Sequence, residues 1–159
     1  MTTDPHATEN PTLARLYLKS QARGSLVLNI PGTDYQLHLR ADEPVTASPQ
    51  GRVRGVVRLP VWKVDTVTPG GAFIEPLLGR PRRVQGTVIG TLATGNSLIV
   101  EVCGQPLIGD LPARWNAASF IRGSRVGLDV KEGGTFEPAE GPAALELGPS
   151  QPDPVNLRV

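Results

Sequence analysis

The sequence predicts a mostly β protein, and three observations carry that expectation. Apolar residues after position 23 recur at every second place, as they do in a sheet with one buried face. Eighteen glycines and 16 prolines, together more than a fifth of the 159 residues, punctuate the short apolar runs. Aromatic residues make up only 4% of the chain against 39% hydrophobic, so the core is built from Val, Leu, Ile and Ala, the residues that pack well on pleated surfaces.

The elements follow in order. Asn10 and Pro11 have the character of an N-cap and a first helical residue. Leu13, Leu16 and Tyr17 then recur at one-face spacing, which predicts a short helix ending at Gly24. Leu26, Leu28 and Ile30 alternate with polar residues, Pro31-Gly32-Thr33-Asp34 turns the chain, and Tyr35, Leu37 and Leu39 alternate again, a hairpin. Val53, Gly55, Val57 and Leu59 share a face opposite Arg52, Arg54 and Arg58. Pro60 interrupts this strand, an extended segment resumes over 61–67, and a short strand follows over 71–75. Residues 83–92 form a long strand in which Gly86 and Gly90 mark bending or a bulge. Turns at 94–96 and 104–105 separate it from strands over 97–103 and 106–111. Pro112 opens a second short helix carrying Trp115 and Phe120, Gly123 ends it, and strands over 126–130 and 135–137 complete the pattern. Val53-Arg54-Gly55-Val56-Val57 and Val84-Gln85-Gly86-Thr87-Val88 share the form Val-x-Gly-x-Val, too short an echo to establish a repeat.

Four regions result: a polar tail over 1–11, a helix and hairpin region over 12–76, a second unit over 77–137 and a Pro-rich tail over 138–159. Within the second unit, the order strand, strand, strand, short helix, strand, short strand over 82–137 is that of an OB-type antiparallel barrel. The residues over 24–76 either extend it or make a second small sheet. The stretch resembles the TOBE domains attached to transport ATPases and molybdate-binding proteins. The resemblance rests on Gly86-Thr87-Val88, on Gly95-Asn96-Ser97-Leu98-Ile99-Val100, and on Gly123-Ser124-Arg125-Val126-Gly127-Leu128. It implies a small barrel and raises small-oxyanion binding as one expectation, but it carries no ligand residues across. The chain has no GxxxxGK[ST] loop of its own.

Charge excludes a global electrostatic role, because 16 basic residues stand against 15 acidic ones. Any attraction for an anion is therefore local. Arg52, Arg54 and Arg58 alternate on one strand face, and Arg80, Arg82 and Arg83 fall within five residues. If the two sets share a surface, they form a patch for phosphates or carboxylates; otherwise they are the solvated side of a half-buried sheet. Trp62 and Phe73 are the nearest aromatic residues able to stack a base.

Chemistry is poorly supplied. Cys103 is the single cysteine, and only His6 and His38 accompany it, so no disulfide, zinc spacing or nucleophile–base arrangement can be argued. The carboxylates are scattered singly. No cofactor or metal is expected, and an enzyme is the least favoured reading. With no export signal or apolar span, the sequence is read as cytoplasmic, without a membrane partner. The expectation is a non-enzymatic binding module for a protein or single-stranded nucleic acid. The alternative is a structural subunit that docks or forms homo-oligomers through sheet edges.

Overall fold

The computed structural model describes residues 11–67 and 70–139. The tails expected over 1–11 and 138–159 lie outside the described residues except for Pro11, Pro138 and Ala139. Eleven strands are formed: β1 Ala14–Ala22, β2 Ser25–Asn29, β3 Gln36–Arg40, β4 Arg52–Thr66, β5 Phe73–Glu75, β6 Leu78–Gly79, β7 Arg83–Thr91, β8 Ser97–Val102, β9 Gln105–Asp110, β10 Arg125–Val130 and β11 Thr135–Pro138. They make a single mixed sheet, so the strands over 24–76 join those of the second half rather than standing apart.

The expected N-terminal helix is a strand. Ala14 and Leu16 are buried while Arg15 between them is exposed, which is a period of two. The helical reading rested on Leu13, Leu16 and Tyr17, but Leu13 and Tyr17 are only half-buried. Pairing decides the outcome, since β1 lies against β4 through Ala14–Tyr17 and against β2 through Tyr17–Ala22. No local preference of so short a segment competes with two ladders.

The second expected helix shrinks to a 3-10 turn over Ala117–Ser119, in which Asn116 accepts from the Ala118 amide. Asn96 explains the irregular path around it. Its side-chain amide donates to the carbonyls of Pro112 and Trp115, at 3.2 and 2.7 Å, and its oxygen accepts from the Ala117 amide at 2.8 Å. Groups that a helix would pair internally are committed to one side chain. Trp115 and Phe120 still pack, half-buried, against the core.

The 15-residue strand β4 organises the sheet. It pairs with β1 through Arg52–Gly55, with β11 through Gly55–Arg58, with β9 in parallel through Arg58–Pro60, and with β10 through Val61–Thr66. Pro60 therefore does not break the strand. It stands where β4 leaves one set of partners for another, the place where a missing ladder amide costs least. From the first half of β4 the ladders run through β1, β2, β3 and β11 and return to β4; from the second half they run through β10, β7, β8 and β9 and return again. Thr135–Glu137, expected to finish the sheet of the second unit, instead pairs with β4 and β3 in the first circuit.

The two circuits are laid out alike. β1 slips register against β2 between Leu18 and Ser20, and β7 slips against β8 between Val88 and Gly90. Ser25 stands opposite Arg40 across β2 and β3, as Ser97 stands opposite Asp110 across β8 and β9. Arg40 then meets Thr135 in a parallel pair, and Asp110 likewise meets Pro60. The Ala41 amide donates to Gly24, and the Leu111 amide to Asn96. Leu18 thus corresponds to Val88 and Arg15 to Gln85. The Val-x-Gly-x-Val echo joins β4 to β7, which do not correspond in this scheme.

One hydrophobic cluster runs through both halves. Val84, Val88, Leu98, Val100, Val126 and Leu128 all belong to it and are at most 1% exposed, as the alternation predicts. Leu16, Leu28, Leu37 and Val57 supply the corresponding interior of the first circuit. Each such side chain contributes roughly 1.5–3 kcal/mol by leaving water. Two glycines allow the strands to close up. A Cβ on Gly55 would strike the Glu137 carbonyl and the Phe136 ring, and one on Gly86 would strike the Glu101 carbonyl with Val100 and Val102.

Candidate functional site

Alternation along β1 and β4 buries Leu16 and Val53 and leaves their neighbours on the outer face. There Arg15 stands directly opposite Arg54, and Tyr17 opposite Arg52. These residues form the base of a cleft of about 650 Å³. Pro31 of the β2–β3 turn, Val45 and Thr46 of the β3–β4 connection, Gln105 and the end of β11 at Pro138–Ala139 also line it. The walls are tied down. The Gln21 side chain brackets Val45, donating to its carbonyl at 2.9 Å and accepting from its amide at 3.0 Å. Gln105 accepts from the Arg15 amide at 2.7 Å, so β9 of the second circuit is fixed against β1 of the first.

Three guanidinium groups meet here and no carboxylate lines the cleft among the described residues. Guanidinium forks suit carboxylate and phosphate oxygens, so the exposed Arg52 and half-buried Arg54 give the cleft the chemistry of an anion site.

The six arginines singled out from sequence separate accordingly. Arg52, exposed, and Arg54, half-buried, line the cleft. Arg58 does not: its Nε and Nη2 donate to the two oxygens of Asp110 at 3.1 and 2.6 Å, and Ser97 Oγ donates to Asp110 at 2.6 Å. That bidentate bond raises the Arg58 pKa above its ordinary value against the opposing effect of desolvation. Arg83 donates to Asp129 at 2.7 Å and lies 3.6 Å from Asp65. Arg80 approaches Glu132 at 4.0 Å and keeps a buried Nη1 without a hydrogen-bond partner among the described residues. Arg82 is exposed, its backbone held by Glu75 and Val130. Arg58, Arg80, Arg82 and Arg83 are absent from the cleft lining.

Arg15, Tyr17 and Gln105 were not among the site residues singled out from the sequence. For the first two a signal existed, because Ala14, Leu16 and Leu18 alternate with Arg15, Tyr17 and Lys19. Gln105 carried none, since its place depends on how the two circuits meet. The aromatic candidates stand elsewhere. Trp62 is 48% exposed with its carbonyl accepting from Arg114, and Phe73 is half-buried in β5 opposite Gln85.

Other chemistry is sparse among the described residues. No group of three His, Cys, Asp or Glu side chains is placed to hold a metal ion. Cys103 sits at positive φ in the β8–β9 turn, and burial pushes its thiol pKa up, away from the thiolate a nucleophile needs. No helix of the described residues is long and apolar enough to cross a membrane. No family model, curated protein or solved structure matches the chain.

Proposed function

We propose that this protein is a non-enzymatic binding module that takes an anionic segment of a partner into the cleft over Arg15, Arg52 and Arg54. The observation that carries the reading is the cleft itself, in which Arg52 and Arg54 of β4 stand with Arg15 and Tyr17 of β1 and Gln105 of β9. The module is built from two OB-like barrels that share β4. What supports that reading is the return of each set of ladders to β4 and the succession of three strands, an irregular connection and a fourth strand in each half. Such barrels commonly bind on their outer walls, with basic groups for the ligand's charge. The arginine-bearing face is thereby narrowed to Arg52 and Arg54 of the six original positions, joined by Arg15.

The affinity of such a site comes from guanidinium pairing and falls as salt rises. Fluorescence anisotropy with a labelled single-stranded oligonucleotide and a labelled acidic peptide, each titrated at two salt concentrations, tests it. Binding to at least one ligand, about tenfold or more weaker in the double variant Arg52→Glu, Arg54→Glu, is the expected outcome. Binding that the double variant leaves intact, or none to either ligand at low salt, removes the proposal.

A further inference from the structure

The correspondence between the circuits sets the cleft beside a groove that the chain fills itself. At one junction the chain covers its own groove. Residues 73–79 leave β5 paired antiparallel to β7, with Phe73 opposite Gln85, Ile74 opposite Val84 and Glu75 opposite Arg83. The same stretch then reaches the other circuit, where β6 pairs in parallel with Gln36 and Leu37 of β3 and the Leu77 carbonyl accepts from the Gln36 amide. A short extended segment thus bridges the first strand of one circuit and the third strand of the other.

The second junction is its counterpart. Arg15 of β1 corresponds to Gln85 of β7, through the matching register slips. Gln36 and Leu37 of β3 correspond to Pro106 and Leu107 of β9, through the matching pairs Ser25 with Arg40 and Ser97 with Asp110. The cleft lies at this second place, lined by Arg15, Leu16 and Tyr17 of β1 and by Gln105 of β9. Where the Gln85 backbone has a strand beside it, the Arg15 amide donates to a side-chain oxygen, Gln105 Oε1. A side-chain amide occupies the position that a strand carbonyl takes in the other junction.

We infer that the cleft receives an extended acidic peptide from a partner protein, which adds to β1 as β5 adds to β7. Charge selects the acidic character: Glu75 of the resident segment stands opposite Arg83 in the ladder, and the cleft presents Arg52 and Arg54. Backbone pairing supplies affinity in strand addition, and alternate side chains supply selectivity. The incoming carbonyl displaces Gln105 from the Arg15 amide, and carboxylates at alternate positions reach the arginines on the outer face. The inference rests on the anion-binding reading of the same cleft and adds the class of ligand to it.

The test compares three labelled probes on the full chain: a six-residue peptide alternating glutamate with valine, the same peptide N-methylated at alternate residues, and an oligothymidylate of equal charge. N-methylation keeps the charge but removes the donors that a ladder requires, and it leaves the protein untouched. The expected result is binding of the plain peptide, weakened about tenfold or more by N-methylation and by Arg52→Glu with Arg54→Glu, with the oligothymidylate weaker than the plain peptide. Equal binding of the two peptides, or tighter binding of the oligothymidylate, overturns strand addition; if that binding is still lost in the arginine variant, the anion cleft itself stands. Failure of all three probes to bind in an arginine-dependent manner overturns both.

Discussion

The two junctions between the circuits have the same strand framework and opposite contents. At the β7–β3 junction the chain lays its own residues 73–79 into the groove, buries Ile74 and sets Glu75 across from Arg83. Arg83 is neutralised there by Asp129 and Asp65. At the β1–β9 junction a cleft holds three arginines, and a glutamine side chain meets the strand amide. One geometry is completed by the chain itself at the first junction and, in the proposed reading, by a partner at the second. The difference lies in a short connecting segment rather than in the sheet, as is usual for sites carried on a rigid framework.

The largest effect tests whether the circuits are one body. Gly86 lies where the Glu101 carbonyl and two valines of β8 approach β7, so Gly86→Val forces the β7–β8 ladder apart. The expected cost is about 3 kcal/mol or more, from overpacking against backbone that cannot yield. Because β4 belongs to both circuits, the first circuit is lost with the second. Thermal unfolding followed by far-UV circular dichroism and by tryptophan fluorescence should give coincident transitions, shifted down together. Two separate transitions would show that the circuits are independent and would remove the basis for comparing their junctions.

Ile74 tests what filling the groove contributes. It is 2% exposed and packs within the common core from a strand of three residues. Ile74→Ala should lower stability by about 2–4 kcal/mol, read from chemical denaturation at constant slope. A change under about 0.5 kcal/mol would mean that the resident segment is ornament on a groove already stable without it. The comparison would then lose its energetic content.

Much of this architecture is legible in the sequence, and the parts that are not have a physical reason. The strands of the second half show because their apolar residues alternate over long runs, as Val84 with Val88 and Val126 with Leu128 do. Gly86 and Gly90 are recognisable as places of close approach and of a bulge for the same local reason. β1 is not, because nine residues containing Leu16, Tyr17 and Leu18 satisfy both a helical and a strand period, and the choice falls to partners remote in the chain. That one ambiguity hides the share of the cleft that β1 supplies, Arg15, Leu16 and Tyr17. The fate of Arg58 and Arg83 is hidden differently: their carboxylate partners, Asp110 and Asp129, lie 52 and 46 residues away. Charge alternation marks which side chains face outward but not which of them are already engaged.

The smallest effect is the sharpest, because it predicts opposite signs at matched places. Arg54 shares a strand face and the cleft with Arg52, so Arg54→Gln relieves a repulsion between like charges and should raise stability by about 0.3 kcal/mol. Arg83→Gln, at the filled junction, removes a cation held by two carboxylates and should lower stability by about 1 kcal/mol. Raising salt should shrink the gain at Arg54, because that pair lies at a solvated cleft where ions screen it. If Arg54→Gln both stabilises the chain and weakens binding of the acidic peptide, the arginine is held in place for its ligand at the expense of the fold. If instead both substitutions destabilise, the cleft arginines are structural in the same sense as Arg83, and the two junctions differ in shape but not in purpose.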